Sequence, residues 1–549
     1  MAGMSTWPAP GPGRWTLELA HFPVGQTPVY RGLYRAASRE GTQVTMARYG
    51  AALSHLEMAH VNDRAYLRPI PLLEPPARLA GSTPPRWALW LLTRVLPRFR
   101  RRSRAARRAV DGRIWREDGT HWYEHRRPAV EAANLALQDE EPAILSDDEL
   151  AGHLARAMAN CREGIRLHFE LVGPNGLPLG ELLAAASDWG IAPREVLGLL
   201  HGASPAAAEP ARELAPVAGA VAGRGSCPAS LDGLRTLGPE AAAALDSYLT
   251  RHGHRVVAGF DVDEPTLREL PQLVVGSVRA LAERDERDRS GSLEDGTAPV
   301  RDRVPQTERP RFDDLLSEAR YGYGLRDDNS GLTLHWPSGL LRRALLEAGR
   351  RAVATGRAHR PEDLFELTPD EVAPFVAGAG PARPELEERA VLRSEHLRAE
   401  APRTIGPEEP LPDLGALPPA LRRVGRAFVA CYELLDSAPM DTALAGTGIG
   451  RDVVRGRARA ASDPSEALER LEPGDVLVVP FTTPAYNAVL PMVSALVVEE
   501  GGELSHAAIV ARELGIPAVI GVGALVDRVT DGSVVEVDPV AGRVRLLDA

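Results

Sequence analysis

The sequence predicts an α + α/β protein, with a large, mainly helical domain at residues 1–435 and a small β/β/α domain at residues 436–549. Two observations predict this division. From Ser146 onward, apolar residues recur at helical spacing, whereas beyond about residue 440 short runs such as DVLVVPF (475–481) indicate buried strands. With 549 residues, of which 44% are hydrophobic, the chain is long enough for several domains.

The N-terminal part begins without a sustained periodicity of hydrophobic residues, so loops and short elements are predicted for residues 1–75. Residues 86–110, RWALWLLTRVLPRFRRRSRAARRAV, then combine an apolar stretch too short to cross a bilayer with eight arginines between Arg94 and Arg108. Three interpretations of this basic stretch stay open: a solvated helix face, a docking site for an acidic partner, or a nucleic-acid contact. No aromatic residue follows Phe99 in it, which disfavours nucleic acid.

Capping signals and periodicity place the helices that follow. Ser146 and Glu149 have the spacing of a capping box, and TPDE (368–371) is a second helix start. The periodicity predicts further helices at 180–201, 239–251, 269–283, 311–324, 338–355 and 385–400. The charged run at 282–303 and the proline-rich run at 401–415 predict linkers.

The C-terminal 110 residues change to strand-forming patterns. Buried strands are predicted at 475–481, 494–500 and 517–522. Residues 532–547, GSVVEVDPVAGRVRLL, predict a hairpin that turns at Val540–Gly542. These patterns predict a compact α/β domain with one short helix between its strands.

Composition excludes several classes of function. The net charge of −11 gives no reason to expect nucleic-acid binding, and the three cysteines lie too far apart to predict a metal site or a disulfide framework. The chain contains no lysine, so it has no Walker A lysine, Schiff-base lysine or lysine general base. Neither a signal peptide nor a membrane-spanning run is predicted, and a cytoplasmic protein with no membrane partner is expected.

The short helix carries a histidine at its start. Ser505 is a good N-cap, and Gly515 supplies a C-terminal cap, so His506 falls in the first turn. Free N–H groups and the helix dipole favour an anion there, and Gly501 and Gly502 leave room for close approach. A neutral imidazole is nucleophilic and can hold a labile phosphoryl group. From composition alone, a plain capping histidine and a phosphoryl-carrying histidine both stay open.

The stretch GGELSHAAIVARELGIPAVIGV (501–522) resembles the phosphohistidine signature of the phosphoenolpyruvate-utilising enzymes, among them pyruvate phosphate dikinase, phosphoenolpyruvate synthase and rifampicin phosphotransferase. Residues 474–486 and 531–544 fit the same swivelling domain. The resemblance implies that His506 carries the phosphoryl group and that Gly501, Gly502 and Ser505 form its loop. Leu504 stands where many dikinases have a threonine, which argues against their regulation by threonine phosphorylation.

The domain order resembles rifampicin phosphotransferase more than the synthases and dikinases, because no pyruvate-binding barrel follows residue 549. Residues 22–30, 61–68, 248–274 and 320–368 are similar to its helical acceptor domain. An ATP-grasp domain is missing ahead of residue 20. The sequence thus resembles the acceptor and relay part of a split phosphotransferase, with phenylphosphate synthase as a family precedent for divided subunits.

The helical part offers acceptor candidates. In RDDN (326–329), Arg326 offers a guanidinium for phosphoryl charge and Asn329 an amide for substrate orientation, and Asp327 is counted with them as a candidate. Relatives usually carry a basic residue one turn later, where this chain has Ser330. His254 and Arg255, with Asp261 and Asp263 close behind, form a second polar cluster. For each of these residues a purely structural network is an equal alternative.

Two functions stay open. In the first, a separate ATP-grasp protein binds ATP and Mg²⁺ and loads His506, and the chain, which binds no cofactor or metal itself, passes the phosphoryl group to a small hydroxyl or similar acceptor. The product is final or is activated for later phosphate elimination. In the second, the chain is a non-catalytic scaffold that uses the swivelling domain for protein binding. The intact Gly-Gly and Ser-His favour the enzyme.

Overall fold

The computed structural model describes residues 6–547, with gaps at 20, 23–24, 74–84, 201, 258, 284–296, 409–412, 437–443, 462–465, 468–469, 473, 483–485, 487–488, 504 and 524. Within these residues the chain forms two compact units. The first comprises residues 1–181, 260–264 and 329–428, and the second comprises 182–259, 265–328 and 429–549. The predicted domain boundary at residue 435 lies beside the gap at 437–443 and stays a prediction.

The first unit is mainly helical. Its longest helices are Pro28–Arg48 and Asp147–Glu170, which pack against each other. The other helices wholly within it are Arg86–Val95, Pro97–Asp111, Ile114–His121, Arg127–Asp139, Trp336–Ala354, Pro369–Val376 and Arg383–Arg398, with short 3₁₀ turns at Pro142–Ile144, Pro361–Glu366 and Leu414–Ala416. The helices Val172–Asp188, Arg309–Ser330 and Pro419–Asp436 contribute residues to both units.

A four-stranded antiparallel sheet completes the first unit. Its strands are β1 (Trp15–Leu17), β2 (Leu53–Val61), β3 (Arg64–Pro71) and β4 (Thr404–Ile405), in the order β2-β3-β1-β4. β4 comes from the run that the sequence predicted as a linker. The prediction of loops and short elements over residues 1–75 is confirmed for the three strands but wrong for the 21-residue helix Pro28–Arg48.

The helix Pro28–Arg48 has the local signals of a helix. Thr27 caps it by accepting a hydrogen bond from the backbone N–H of Tyr30, and Pro28 occupies the first turn. Val29, Leu33 and Ala37 follow at helical spacing and are buried in the core of the first unit. This period is weak in the sequence because polar residues such as Ser38, Thr42 and Thr45 are buried beside the apolar ones.

Two π-helical turns interrupt long helices in the first unit, at Trp122–Arg126 and Gly331–His335. A π-turn leaves carbonyl groups without their usual helical partners. At the second turn the side chain of buried Asn134 donates to the carbonyl of Leu332 at 3.0 Å. This bond satisfies a polar group that would otherwise be buried without a partner.

The second unit contains four helices that share one apolar core: Pro205–Arg224, Leu231–Arg235, Pro239–His252 and Pro271–Glu283. The shorter helices Pro193–Gly198 and Thr297–Arg303 also belong to this unit. The predicted helix at 180–201 is wrong as one element, because it ends at Asp188 before Gly190 with φ 70°. In the predicted linker 282–303, residues 284–296 lie outside the described residues, and the last seven form a helix with Val300 buried.

The C-terminal module, residues 444–547, is built on a seven-stranded mixed sheet. Its strands are β5 (Thr447–Ile449), β6 (Val454–Ala460), β7 (Val476–Val479), β8 (Ala495–Val498), β9 (Ala518–Ile520), β10 (Val534–Asp538) and β11 (Arg543–Leu547). The order is β11-β10-β6-β7-β8-β9-β5, with β6 to β9 parallel. The predicted strands, the hairpin and the fold class of helical region plus α/β module are confirmed.

No helix in the described part of the chain combines the length and apolar character needed to cross a membrane.

The predicted helices that begin near 239, 269, 311, 338 and 385 are confirmed within a few residues.

Candidate functional site

The helix His506–Leu514 lies between β8 and β9 of the C-terminal module. The hydroxyl of Ser505 accepts a hydrogen bond from the backbone N–H of Ala508 at 3.3 Å, and Gly515 ends the helix with φ 67°. Both predicted caps are therefore present. The backbone of His506 opens the helix, where its N-terminal N–H groups favour an anion. The side chain of His506 lies outside the described part.

Two glycines determine the backbone geometry of the loop before this helix. Gly501 has a φ of 129°, and a Cβ atom there would lie 3.0 Å from the hydroxyl of Ser505. The carbonyl of Gly502 accepts a hydrogen bond from the backbone N–H of Ser505 at 2.9 Å. A side chain at Gly501 would strain the backbone and press on the cap residue. The loop geometry therefore requires glycine at position 501.

The start of the helix lies at the carboxyl edge of the parallel strands. Residues 499–503 follow the end of β8, and the N–H of Gly521, just after β9, donates to the carbonyl of Val498 at 2.8 Å. Ligands of open α/β sheets bind at this edge, outside the carboxyl ends of the strands. Ala507, Ala508 and Ala511 are buried against the sheet, so the first turn is held rigidly at the edge.

The far end of the same helix contacts the helical part of the second unit. Nη1 of Arg512 donates to the carbonyl of Glu503 at 2.7 Å, and the Arg512 guanidinium also shares a hydrogen bond with Tyr323. A carboxylate oxygen of Glu513 accepts from the N–H of Gly202 at 3.0 Å. Burial lowers the pKa of Arg512 and raises that of Glu503, and each charge opposes the other's shift.

We expect Tyr323→Phe to loosen this contact without changing the fold. The change removes one hydrogen bond to a charged group, which contributes about 1.5–3 kcal/mol. Amide hydrogen exchange of residues 503–514 should therefore become roughly tenfold faster, while exchange in β7 and β8 stays unchanged. Equal exchange in the two proteins would show that Tyr323 does not hold the helix.

The predicted acceptor residues of the RDDN segment lie on the helix Arg309–Ser330. Arg326 is one turn after Tyr323, which touches the His506 helix through Arg512. Burial raises the pKa of the Cys431 thiol to about 12, and the positive charge of Arg326 opposes that rise. The side chain of Asp327 lies outside the described part.

Asn329 contacts other side chains of the first unit, whereas the sequence predicted that its amide orients a substrate. It is buried, its amide nitrogen lies 3.1 Å from Nδ1 of His168, and its Oδ1 accepts from the hydroxyl of Thr333 at 2.8 Å. These partners fix the amide group firmly. The role of Asn329 in orienting a substrate stays a prediction, because these contacts are within the protein.

His254 and Arg255 lie in the turn after the helix Pro239–His252. Here Nε2 of His252 is 2.7 Å from a carboxylate oxygen of Glu213, and the His252 ring stacks on Tyr248 with centroids 4.7 Å apart. Burial and the charge of Arg255 lower the pKa of His252 to about 4. A structural network therefore lies beside Arg255, and the acceptor role of His254 and Arg255 stays a prediction.

Comparison with known proteins decides what the C-terminal module is. Residues 471–542 match the mobile domain of PEP-utilising enzymes, and His506 lies inside this match. The module is a PEP-utilising enzyme mobile domain. Residues 187–327 match the fourth domain of rifampicin phosphotransferase. That second match contains Arg326 and ends two residues before Asn329. The contact between Arg512 and Tyr323 therefore joins the mobile domain to the fourth-domain region.

Curated relatives extend these matches. Over 98% of its length the chain is 26% identical to chondramide synthase of Chondromyces crocatus, but it covers only 14% of that protein. It is 29% identical to rifampicin phosphotransferase of Streptomyces sviceus over 56% of the chain, and 30% identical to the uncharacterized phosphotransferase YvkC of Bacillus subtilis over 37%. The chain is a distant relative of these phosphotransferases and spans 35% and 23% of their lengths, respectively.

The structure also shows a histidine cluster that the sequence analysis missed, in the first unit. Nδ1 of His21 donates to a carboxylate oxygen of buried Glu18 at 3.0 Å, and the backbone N–H of His21 donates to the other oxygen at 3.0 Å. The His21 ring lies 5.1 Å from the ring of Phe260 and 5.5 Å, edge on, from that of His168. No described residue hydrogen-bonds Nε2 of His21.

Electrostatics fit an ionised carboxylate in this cluster. Burial by itself would raise the pKa of Glu18, but the His21 imidazole and the backbone N–H groups of His21 and Phe22 hold it below its usual value. The three-residue spacing of Glu18 and His21 was the only local signal of the pair. His168 and Phe260 are far away in sequence, so no sequence period could have placed them beside it.

Proposed function

We propose that this chain is a phosphotransferase subunit that relays a phosphoryl group from ATP through His506 to a small-molecule hydroxyl. One observation carries the proposal: a PEP-utilising enzyme mobile domain in which a capped helix at the carboxyl edge of the sheet begins at His506. The helix start stabilises an added phosphoryl group, and Gly501 gives the loop before it the backbone conformation that leaves room for the Ser505 cap. The relationship to rifampicin phosphotransferases supports the same chemistry.

ATP and Mg²⁺ are handled by a separate ATP-grasp protein in this proposal. The absence of lysine supports this division, because the chain cannot supply a Walker A lysine. The partner transfers the β-phosphoryl group of ATP to His506, while water takes the γ-phosphoryl group, so that AMP and phosphate are released. The chain then contributes the phosphohistidine and the acceptor site.

The acceptor step uses the pair of His21 and Glu18. The acceptor hydroxyl oxygen attacks phosphorus, the bond between phosphorus and the His506 nitrogen breaks, and the hydroxyl proton passes to Nε2 of His21. Glu18 orients the ring and stabilises the imidazolium that forms, as a carboxylate does in other carboxylate–histidine pairs. The rings of Phe260 and Phe169 beside His21 favour an acceptor with an apolar body.

The test of this function uses the chain, a candidate ATP-grasp protein and ATP labelled at the β-phosphate. We expect one label per chain, lost in acid and stable in alkali, as is typical of a phosphoramidate. AMP and phosphate should appear in equal amounts. A label that resists acid, or no label with any ATP-grasp protein encoded beside this chain, contradicts the proposal.

We expect Arg326→Gln to slow transfer to the acceptor about a hundredfold and to leave loading of His506 nearly unchanged. A guanidinium next to a transferring phosphoryl group stabilises charge that develops in the transition state. Single-turnover decay of the labelled chain in the presence of acceptor measures the effect. Arg320→Gln, six residues earlier on the same helix, removes the same charge and serves as the control. Equal decay in wild type and Arg326→Gln would assign Arg326 a structural role.

A further inference from the structure

The helix Pro97–Asp111 carries seven arginines and no acidic residue before Asp111. Elsewhere arginines pair with carboxylates: Arg166 contacts Glu163 and Glu170, each at 2.7 Å. None of the seven forms an ion pair with a carboxylate of the described residues, although the chain has 75 acidic side chains. Such a concentration of unpaired positive charge on one helix indicates a ligand or surface of opposite charge.

Three of these arginines line one cleft of about 650 Å³. Arg98, Arg101 and Arg102 have the spacing i, i+3 and i+4, which places them on one face of the helix. The remaining lining residues are small or apolar: Ala47, Leu96, Pro97 and Ala105. The cleft therefore presents positive charge above an apolar floor, at the first turns of a 15-residue helix whose positive dipole end adds to the field.

Among these arginines, Arg102 gives the strongest indication of a bound ligand. It is half-buried, and its Nη1 is shielded from solvent without a hydrogen-bond partner. Burial lowers the pKa of its guanidinium, with no neighbouring charge to oppose the shift. A cation held in this way destabilises the fold, because it loses water and gains no counter-ion. A bound anion would offset this penalty.

We propose that this cleft binds a phosphate oxyanion, in the form of a phosphate monoester or a diphosphate. Arginine forks match the geometry of phosphate oxygens, and a group with two or more negative charges has enough oxygens for three guanidinium groups. A single carboxylate has only two. The site takes either a free phosphorylated molecule or the headgroup of a phospholipid. Trp87 and Trp90 on the preceding helix are 71% and 51% exposed, so both sources are tested.

The first experiment titrates the purified chain with inorganic diphosphate by calorimetry, in a buffer without phosphate or sulfate. We expect one site per chain, with affinity that falls as salt rises. Arg102→Gln should weaken binding about tenfold, and the triple change of Arg98, Arg101 and Arg102 to Gln should abolish it. Arg107→Gln removes the same charge from an exposed position outside the cleft and should bind within twofold of wild type.

The second experiment mixes the chain with phosphatidylcholine vesicles that contain phosphatidic acid, a lipid whose headgroup is a phosphate monoester. Vesicle binding that is lost in Arg102→Gln and displaced by diphosphate identifies a lipid headgroup as the source. Diphosphate binding without vesicle binding identifies a free phosphorylated molecule. The proposal is overturned if neither probe binds, or if Arg107→Gln weakens binding as much as Arg102→Gln does.

Thermal melting separates a lost site from a damaged fold. Without diphosphate, Arg102→Gln should melt no lower than wild type, because the change removes an unpaired, half-buried charge. With diphosphate, the melting temperature of wild type should rise with ligand concentration, and that of the variant should not. A variant that melts lower without ligand but keeps its response to diphosphate would show that Arg102 stabilises the fold and does not bind the anion.

Discussion

Replacing His506 with alanine should reduce phosphoryl transfer to the acceptor at least about a thousandfold, since the variant has no nucleophile at the head of its helix. The fold should be unaffected. Alanine is favourable in the first turn, and the hydroxyl of Ser505 still accepts from the N–H of Ala508. The loss of activity would then be chemical. Circular dichroism and thermal melting provide the check on folding.

Two phosphoryl donors make this test independent of the proposed partner. The ATP-grasp protein with ATP tests the complete relay, whereas phosphoramidate, a small chemical donor, phosphorylates reactive histidines without any partner. Peptide mapping must then separate His506 from the other 13 of the chain's 14 histidines. Labelling of His506 by phosphoramidate but not by ATP would indicate that the chosen ATP-grasp protein is the wrong partner. The proposal that His506 carries the phosphoryl group would still hold.

Ser505→Ala is the matched control, because Ser505 is the neighbouring residue that could also carry a phosphoryl group. It should lose about 1 kcal/mol of stability through the missing cap and keep its acid-labile label. A serine ester would behave in the opposite way, since it survives acid. Full product formation by His506→Ala would place the phosphoryl relay at another residue.

The His506 helix could be predicted from sequence because all of its determinants are local. Ser505 caps the start, Gly515 ends it, and the alanines between them favour helix. The strands β7 to β9 are short runs of buried β-branched and aliphatic residues, so they too are marked by their own composition. The resemblance to phosphohistidine domains added the role of the histidine, which geometry alone leaves open between a cap and a nucleophile.

The remaining parts of the site depend on contacts between distant residues. Arg512 meets Tyr323 across 189 positions of the chain, counting from 323 to 512, and no periodicity encodes that contact. The pair of Glu18 and His21 is local, but its surroundings come from Phe260 and His168. The helix Pro28–Arg48 was not predicted because it buries polar residues such as Ser38, Thr42 and Thr45, which weaken the hydrophobic pattern.

Asp261 illustrates how such a distant contact supports the histidine cluster. Its carboxylate accepts hydrogen bonds from the backbone N–H and the hydroxyl of Thr27, both at 2.7 Å, across a separation of 234 residues. The N–H of Val262 donates to the same group at 2.5 Å. Thr27 caps the helix Pro28–Arg48, and Phe260, beside Asp261, packs against His21. One buried carboxyl group therefore connects the helix start with the histidine cluster.

We expect Asp261→Ala to lower the free energy of unfolding by about 4 kcal/mol, because two buried N–H groups and a hydroxyl lose their acceptor. Asp261→Asn should lose much less, since an amide oxygen can still accept from Thr27. Chemical denaturation of both variants measures the difference. Equal stability of wild type and Asp261→Ala would show that water or another group replaces the carboxylate.

The stability of wild type and that of Asp261→Asn should also respond differently to pH. Burial and the nearby charge of Asp263 raise the pKa of Asp261 well above its ordinary value of 3.8, against the hydrogen bonds from Thr27. At a pH between 3.8 and the raised pKa, Asp261 holds a proton in the folded protein that it has released in the unfolded chain. The contribution of Asp261 to stability therefore falls as pH rises above about 4. Wild type should lose stability relative to Asp261→Asn over that range, and a constant difference from pH 4 to 8 would show that the carboxyl group is ionised throughout.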